Sequence, residues 1–211
     1  MLCNLLRKTL IVLLLVHPAF AMATEEPQYK LVTSKNGVEY RQYEPYLVAE
    51  TLIEGEADRD TAASQGFRRL FKYISGENAT KTSIAMTAPV QQTPDRNIDP
   101  STPVQQAAVA NGWTVGFTVP GEFTQTTVPT PTNAAISIRT VPAQLMAVIK
   151  YSGRWTDSNL KQHADELREK LLAAGITTIG EVVSAAYNAP FSPPFLRRNE
   201  VMIAVDRAPL P

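Results

Sequence analysis

The chain constrains its own fold most strongly by nearly repeating itself. Displacing the sequence by 98 residues lays Arg41 on Arg139, Leu47 on Leu145, Ala49 on Ala147 and Gly55 on Gly153. A further slip of three residues lays AMTAPV (85–90) over AYNAPF (186–191) and pairs Ala88-Pro89 with Ala189-Pro190. Both halves also run in the order strand, helix, strand, strand. This order predicts two β-α-β-β units meeting about a pseudo-twofold axis, with one curved sheet surface and the helices outside.

The elements follow from periodicity. Val38 to Tyr43 and Tyr46 to Ile53 alternate apolar and polar residues, with Pro45 between them. Asp60 to Ser75 switches to helical period, and the wheel places Ala63, Phe67, Leu70, Phe71 and Ile74 on one face, centred near Phe67 and Ile74. Gly76 ends that helix. TSIAMTAPVQQ is expected as a strand, Gln91 to Gly112 as a loop, and WTVGFTVP as another strand. In the second half, Ile136 to Tyr151 is strand-like and residues 158–174 are helical. Leu160, Ala164, Leu167 and Leu171 share a face there, Asp157 or Ser158 is the expected cap, and Gly175 ends the helix. GEVVSAAYNAPF and EVMIAV complete the strands.

The first 23 residues stand apart. Arg7 and Lys8 precede the apolar run Leu10 to Val16, and Ala19-Phe20-Ala21 and Ala21-Met22-Ala23 both offer small-residue cleavage sites. This is the pattern of a secretory signal peptide, so a periplasmic or secreted protein of residues 24–211 is expected, with no stable membrane insertion after cleavage. Cleavage removes Cys3 and His17 and leaves no cysteine and one histidine, His163. Disulfides, a Cys/His metal cluster, a cysteine nucleophile and any triad needing two histidines are thereby excluded from the mature chain. Losing Arg7 and Lys8 leaves eighteen basic residues against twenty acidic, a net charge of about −2. With no run of five or more basic residues, nucleic acid and anionic membranes are poor partner expectations.

Three segments, TSIAMTAPV, VIKYSGRWT and YNAPFSPPFLRRNEVMIAV, resemble signature segments of the SOUL haem-binding family, in order and at suitable spacing from about Tyr29 to Val205. The resemblance implies an α+β fold, a distorted antiparallel β-barrel of two pseudo-symmetric β-α-β-β repeats flanked by two helices. It implies non-covalent binding of haem b or another porphyrin in a hydrophobic groove beside the first helix. A binding protein rather than an enzyme, monomeric or weakly dimeric, is the corresponding expectation.

Beyond Phe71 on the first helix lie Arg68 and Lys72, four residues apart on one ridge. An apolar edge bordered by cations suits a flat ring with two propionates; a plain amphipathic helix with a solvated basic face explains the same pattern. The resemblance overlays FRRLFKYISG on the groove-forming segment and adds weight to Phe67, Phe71 and Lys72, with Ile74 beside them. Ser64 stands where some relatives carry a further cation, which leaves a two-point propionate clamp incomplete. Met86 is expected mainly to fill the core, with groove lining or soft iron ligation as its alternative. His163 falls about 60° from Leu160 at the border of its helix's apolar face, which makes it a poor axial ligand. Arg197, Arg198 and Glu200 read chiefly as a lock on the last strand, with direct ligand contact by Arg197 or Arg198 as the alternative.

Two other classes of function stay open. A tetrapyrrole-modifying enzyme such as a metal dechelatase needs an acid or base in the groove, and Glu39, Glu44 and Glu50 show no paired geometry. A module for another flat amphipathic ligand, like the drug-sensing effector-binding domains, calls for a buried glutamate, with Glu181 or Glu200 as candidates.

Overall fold

The computed structural model describes residues 24–55, 58–95, 112–189 and 191–210. The expected leader, residues 1–23, and Pro190 lie outside them. The first half contains β1 (Tyr29–Lys35), β2 (Val38–Tyr43), β3 (Tyr46–Glu54), α1 (Arg59–Ile74), β4 (Val90–Asp95) and β5 (Gly112–Thr118). The second contains β6 (Ser137–Val141), β7 (Gln144–Tyr151), α2 (Asp157–Ala173), β8 (Thr178–Ala186), a 3-10 turn (Pro194–Leu196) and β9 (Asn199–Val205).

All nine strands form one antiparallel sheet in the order β1-β2-β7-β9-β8-β4-β5-β3-β6. This order forces the sheet to curl. Two residues, Glu44 and Pro45, join β2 to β3, and two more, Pro142 and Ala143, join β6 to β7. In each case the joined strands stand six places apart in the sheet. A flat sheet would separate them by roughly 29 Å, whereas such a link spans at most about 11 Å. The sheet therefore rolls into the expected distorted barrel.

The repeat is visible in the strand order. On either side of the β8–β4 pair, β9 answers β5, β7 answers β3 and β2 answers β6. The 98-residue displacement also relates the helix caps. Asp58 accepts the Thr61 N–H at 2.7 Å to cap α1, and Thr156 accepts from Asn159 to cap α2. Thr156 thus replaces the expected Asp157 or Ser158. Asp157 has another task, accepting the Arg59 guanidinium at the start of α1 at 2.5 Å.

The three-residue slip does not survive. TSIAMTA, expected as strand, forms none and leads into β4, whereas AYNA begins at Ala186, the end of β8. Val90 pairs with Ala186, so the two look-alike segments lie side by side at one rim instead of at symmetry-related places. Gln91 to Asp95, expected as loop, is strand β4.

The core has two helix-covered compartments and a third on the opposite sheet face. α1 covers β3 and β5 through Leu70, Tyr73 and Ile74 against Val115 and Phe117. α2 covers β7 and β9 through Ala164, Leu167 and Leu171 against Ala147, Ile149, Val201 and Ile203. Met146, Val148 and Met202, alternating with those positions, pack with Tyr43 and Ala185 on the other face. The buried stripe of α1 is rotated from the one expected. It runs through Ala62, Ala63, Gly66, Leu70, Tyr73 and Ile74. A Cβ on Gly66 would stand 2.6 Å from Val115 side-chain carbons, so the small residues seat the helix directly on β5. Phe67 and Phe71 are thereby pushed from the centre of the stripe to its edge.

Candidate functional site

That displaced edge is one wall of an open groove of about 940 Å³. The Phe67 and Phe71 rings stack at 5.9 Å with 11° between their planes, and Phe67 meets Phe117 edge-on at 5.2 Å. The inner ring is locked into the core while Phe71 remains 49% exposed. Met86, Ala88 and Val90 extend the apolar surface along the rim. Ala186, the neighbour of Val90 on the paired strand, continues this surface to Tyr187 and the proline arm, which contributes Phe191, Pro194 and Arg197. Trp155, in the turn before α2, closes one end.

Two of the aromatics, Trp155 and Tyr187, are held by polar nodes behind them. Arg59 is fully buried; besides Asp157 it donates to Asp60 at 2.8 Å, to the Trp155 carbonyl at 2.7 Å and to Gln92 at 3.2 Å. Its guanidinium also stacks 4.6 Å from the Trp155 ring. The Trp155 indole N–H is buried without a hydrogen-bond partner among the described residues. Tyr187 donates its hydroxyl to Glu200 at 2.8 Å and lies beneath Arg198, 3.7 Å from the ring centre. Burial, then the negative charge of Glu200, pushes that hydroxyl well above the usual phenol range, so Tyr187 stays protonated. Glu200 is itself fully buried. Burial works to raise its pKa, but hydrogen bonds and charge from Arg41 (2.9 and 3.0 Å), followed by Arg198, hold it below the usual carboxylate value. Arg198 continues to Glu26 at 2.9 Å and so straps the N-terminal segment to the last strand.

The Arg-Arg-Asn-Glu motif therefore divides. Arg198 and Glu200 lock the strand, as expected, while Arg197 lines the groove and donates Nε to the Ser192 carbonyl at 2.8 Å.

Of the sequence candidates, Phe67, Arg68, Phe71 and Met86 come together at the groove, along with Ser64. Lys72 and Ile74 do not. Lys72 projects from the last turn of α1 outside the groove, and Ile74 is buried under the helix in the core. Met86 is not core filler, being 39% exposed on the groove rim. His163 belongs to the other half, stacked on Tyr151 at 4.2 Å with Nδ1 3.3 Å from Glu166. Tyr73 and Tyr151 are core residues, Tyr73 donating to the Pro129 carbonyl at 2.7 Å. Glu39 is paired with Arg41 and Lys150, and Glu50 with Arg139. Glu44 and Glu181 lie away from the groove, and Glu200 is already neutralised by arginines. Asp60 is the one carboxylate on the groove wall among the described residues. No group of three or more His, Cys, Asp or Glu among the described residues could hold a metal, and none of their helices is long and apolar enough to cross a membrane.

Sequence reasoning missed the second wall. Arg154, Trp155, Tyr187 and Phe191 reach the groove from segments eighty or more residues beyond α1. The visible signal was the arm itself, whose prolines hold Phe191 and Phe195 in solvent.

A curled, two-repeat α+β barrel with a ligand-sized apolar groove beside its first helix defines the class. The chain matches the SOUL heme-binding protein family over residues 24–204 and belongs to that family. No curated protein matches it. Among solved structures it resembles EcmrR in a complex with DNA, with a TM-score of 0.59 and 9% identity, over 81% of this chain and 57% of that one. It thus spans little more than half of that protein. It also resembles the EcmrR C-terminal domain (TM-score 0.56, 11% identity, 85% and 99% of the two chains). A hydrolase from Listeria innocua is similar too (TM-score 0.53, 10% identity, 83% and 94%). At these identities the likeness is one of fold.

Proposed function

We propose that the protein binds haem or a related tetrapyrrole non-covalently in this groove, for transport, buffering or scavenging, outside the cytoplasm once residues 1–23 are removed. One observation carries the reading: the stacked Phe67–Phe71 wall is rigid yet open to solvent, beside a groove rimmed by Arg68, Arg154 and Arg197. The aromatic and Met86 surfaces suit the macrocycle, and the arginines suit its propionates. Arg68 and Arg154 take over the role expected of Arg68 and Lys72.

The donor set suits a porphyrin better than a tuned iron. The described groove residues include no histidine or cysteine, and the Tyr187 hydroxyl is committed to Glu200. Met86 offers the soft donor, a thioether at the rim. Binding then rests on burial and propionate contacts, and haem supplies no oxygen chemistry that these residues would steer. A cationic ligand is less well served, because Glu200 is saturated by Arg41 and Arg198 and Asp60 is the one carboxylate among the described residues that faces the groove.

The test is titration with haemin, following the Soret band, with metal-free protoporphyrin in parallel. Comparable low-micromolar binding of both is expected. Failure of every tetrapyrrole to bind below high micromolar, with cationic dyes binding instead, would transfer the groove to the effector-binding reading.

A further inference from the structure

We infer that the proline arm beside the groove docks on an anionic phospholipid surface. Phe191, Phe195 and Leu196 are 90%, 76% and 66% exposed, three large apolar side chains within six residues. Such exposure in a loose tail would mean little, but this arm is fixed. Ser192 N–H donates to the Ala189 carbonyl, Leu196 to Pro193 and Arg197 to Pro194. Gly153 N–H donates to the Pro194 carbonyl at 2.9 Å, anchoring the arm on the turn that precedes α2. Pro193 and Pro194 stiffen it further. The molecule thus holds an oily tip in water at little ordering cost on contact, the property of an interfacial anchor.

Charge selects the occupant. Near-neutral net charge argued against an anionic surface, but the fold gathers cations from three distant segments. Arg154 follows the glycine to which the arm is bonded, Arg197 follows the tip directly, and Arg68 lies across the groove. Phosphates at the headgroup level would meet these guanidiniums while the apolar tips enter the acyl boundary. A surface seated there faces the groove mouth, since Phe191 and Arg197 belong to both. The same arginines meet the propionates in the reading above, so the vesicle experiment is run without added tetrapyrrole and its failure is separable from failure of the Soret titration.

The experiment is cosedimentation of the full chain with phosphatidylcholine vesicles, with and without phosphatidylglycerol. Phe195→Ser/Leu196→Ser serves as the comparison, so that any contribution of residues 1–23 is common to both proteins. Both substituted residues are exposed, so folding should be kept, and an unchanged circular dichroism spectrum checks this. Binding should require phosphatidylglycerol, weaken with salt, and fall about tenfold in the double variant. In Phe195→Trp, a bromolipid should quench the new indole emission beyond the background of Trp113 and Trp155 in the parent. Equal vesicle binding by the double variant, no dependence on phosphatidylglycerol, or no added quenching at 195 would overturn the inference. So would absence of vesicle binding with a change of sedimenting mass in the double variant, which would make the tip a contact between copies of the chain.

Discussion

The two helices occupy equivalent places in the two repeats, yet only one borders the groove. Under the 98-residue displacement Ala62, Gly66 and Tyr73 of α1 correspond to Leu160, Ala164 and Leu171 of α2, and both sets face the sheet. Along the outer edge the correspondence in chemistry ends. Phe67 answers to Asp165 and Phe71 to Glu169, while Arg68 answers to Glu166. On α2 this edge is closed by helix-surface ion pairs, Lys161 with Asp165 and Lys170 with Glu166. On α1 it is left apolar and open. Packing against the sheet keeps both helices in place, so the edge residues are free to differ, and the groove lies where the symmetry is broken.

The largest expected effect tests a second pair of repeat mates, Arg41 and Arg139. Arg41 is fully buried against Glu200, whereas Arg139 is 53% exposed and pairs with Glu50. Arg41→Ala should cost about 3–5 kcal/mol of folding stability because it removes the two-point partner of the buried Glu200 and leaves it only Arg198 and Tyr187. Arg139→Ala should cost about 0–1 kcal/mol. Urea unfolding measures both. The pH dependence follows from Glu200, whose folded pKa lies below its ordinary 4.5. Its stabilisation is present above about 4.5 and is lost as pH falls through the depressed value. Replacing it, as in Glu200→Gln, should lower stability at neutral pH and flatten this acid limb. Equal costs at Arg41 and Arg139 would break the asymmetry.

Next in size is transplantation of one edge onto the other. Phe67→Asp/Phe71→Glu gives α1 the edge chemistry of α2 and should weaken porphyrin binding at least about a hundredfold, by removing two aromatic surfaces worth about 1.5–3 kcal/mol each when buried. Phe71→Ala alone should cost about tenfold, read from the same Soret titration. Undiminished binding in the double variant would move the site away from α1.

The smallest effects belong to the charged rim. Arg68→Ala and Arg154→Ala should each weaken binding by about 0.2–1 kcal/mol, and the difference should shrink as salt rises. Lys72→Ala should do less than either, and His163→Ala should leave affinity and spectrum unchanged. A loss of iron-specific absorption in His163→Ala would place the haem on the second helix.

The order of elements was legible because strand alternation and helical period survive in both repeats. Boundaries were lost where tertiary contacts overrode local chemistry. β4 reads as a loop, QQTPD, because its polar residues are satisfied by partners distant in sequence: Gln92 is buried, donating to the Arg59 carbonyl and accepting from the Arg59 guanidinium. β1 gave no signal, since its seven residues are almost all exposed. Half the groove was legible on the helical wheel of α1, although Gly66 turned the wheel by drawing the helix onto β5. The other half depends on sheet order, which brings Tyr187 and Trp155 to Phe67, and no local pattern encodes that.

The sheet order also governs when the protein can become complete. β2 pairs with β7 and β3 with β6, so the first half lends β2 and the second lends β6, and Glu39 must find Val148 across more than a hundred residues. β9, the last strand made, lies between β7 and β8. The first half by itself can pair β2 only with β1, and without β9 there is no bridge between β7 and β8. The barrel can therefore close only once β9 is in place, a slow step of high contact order.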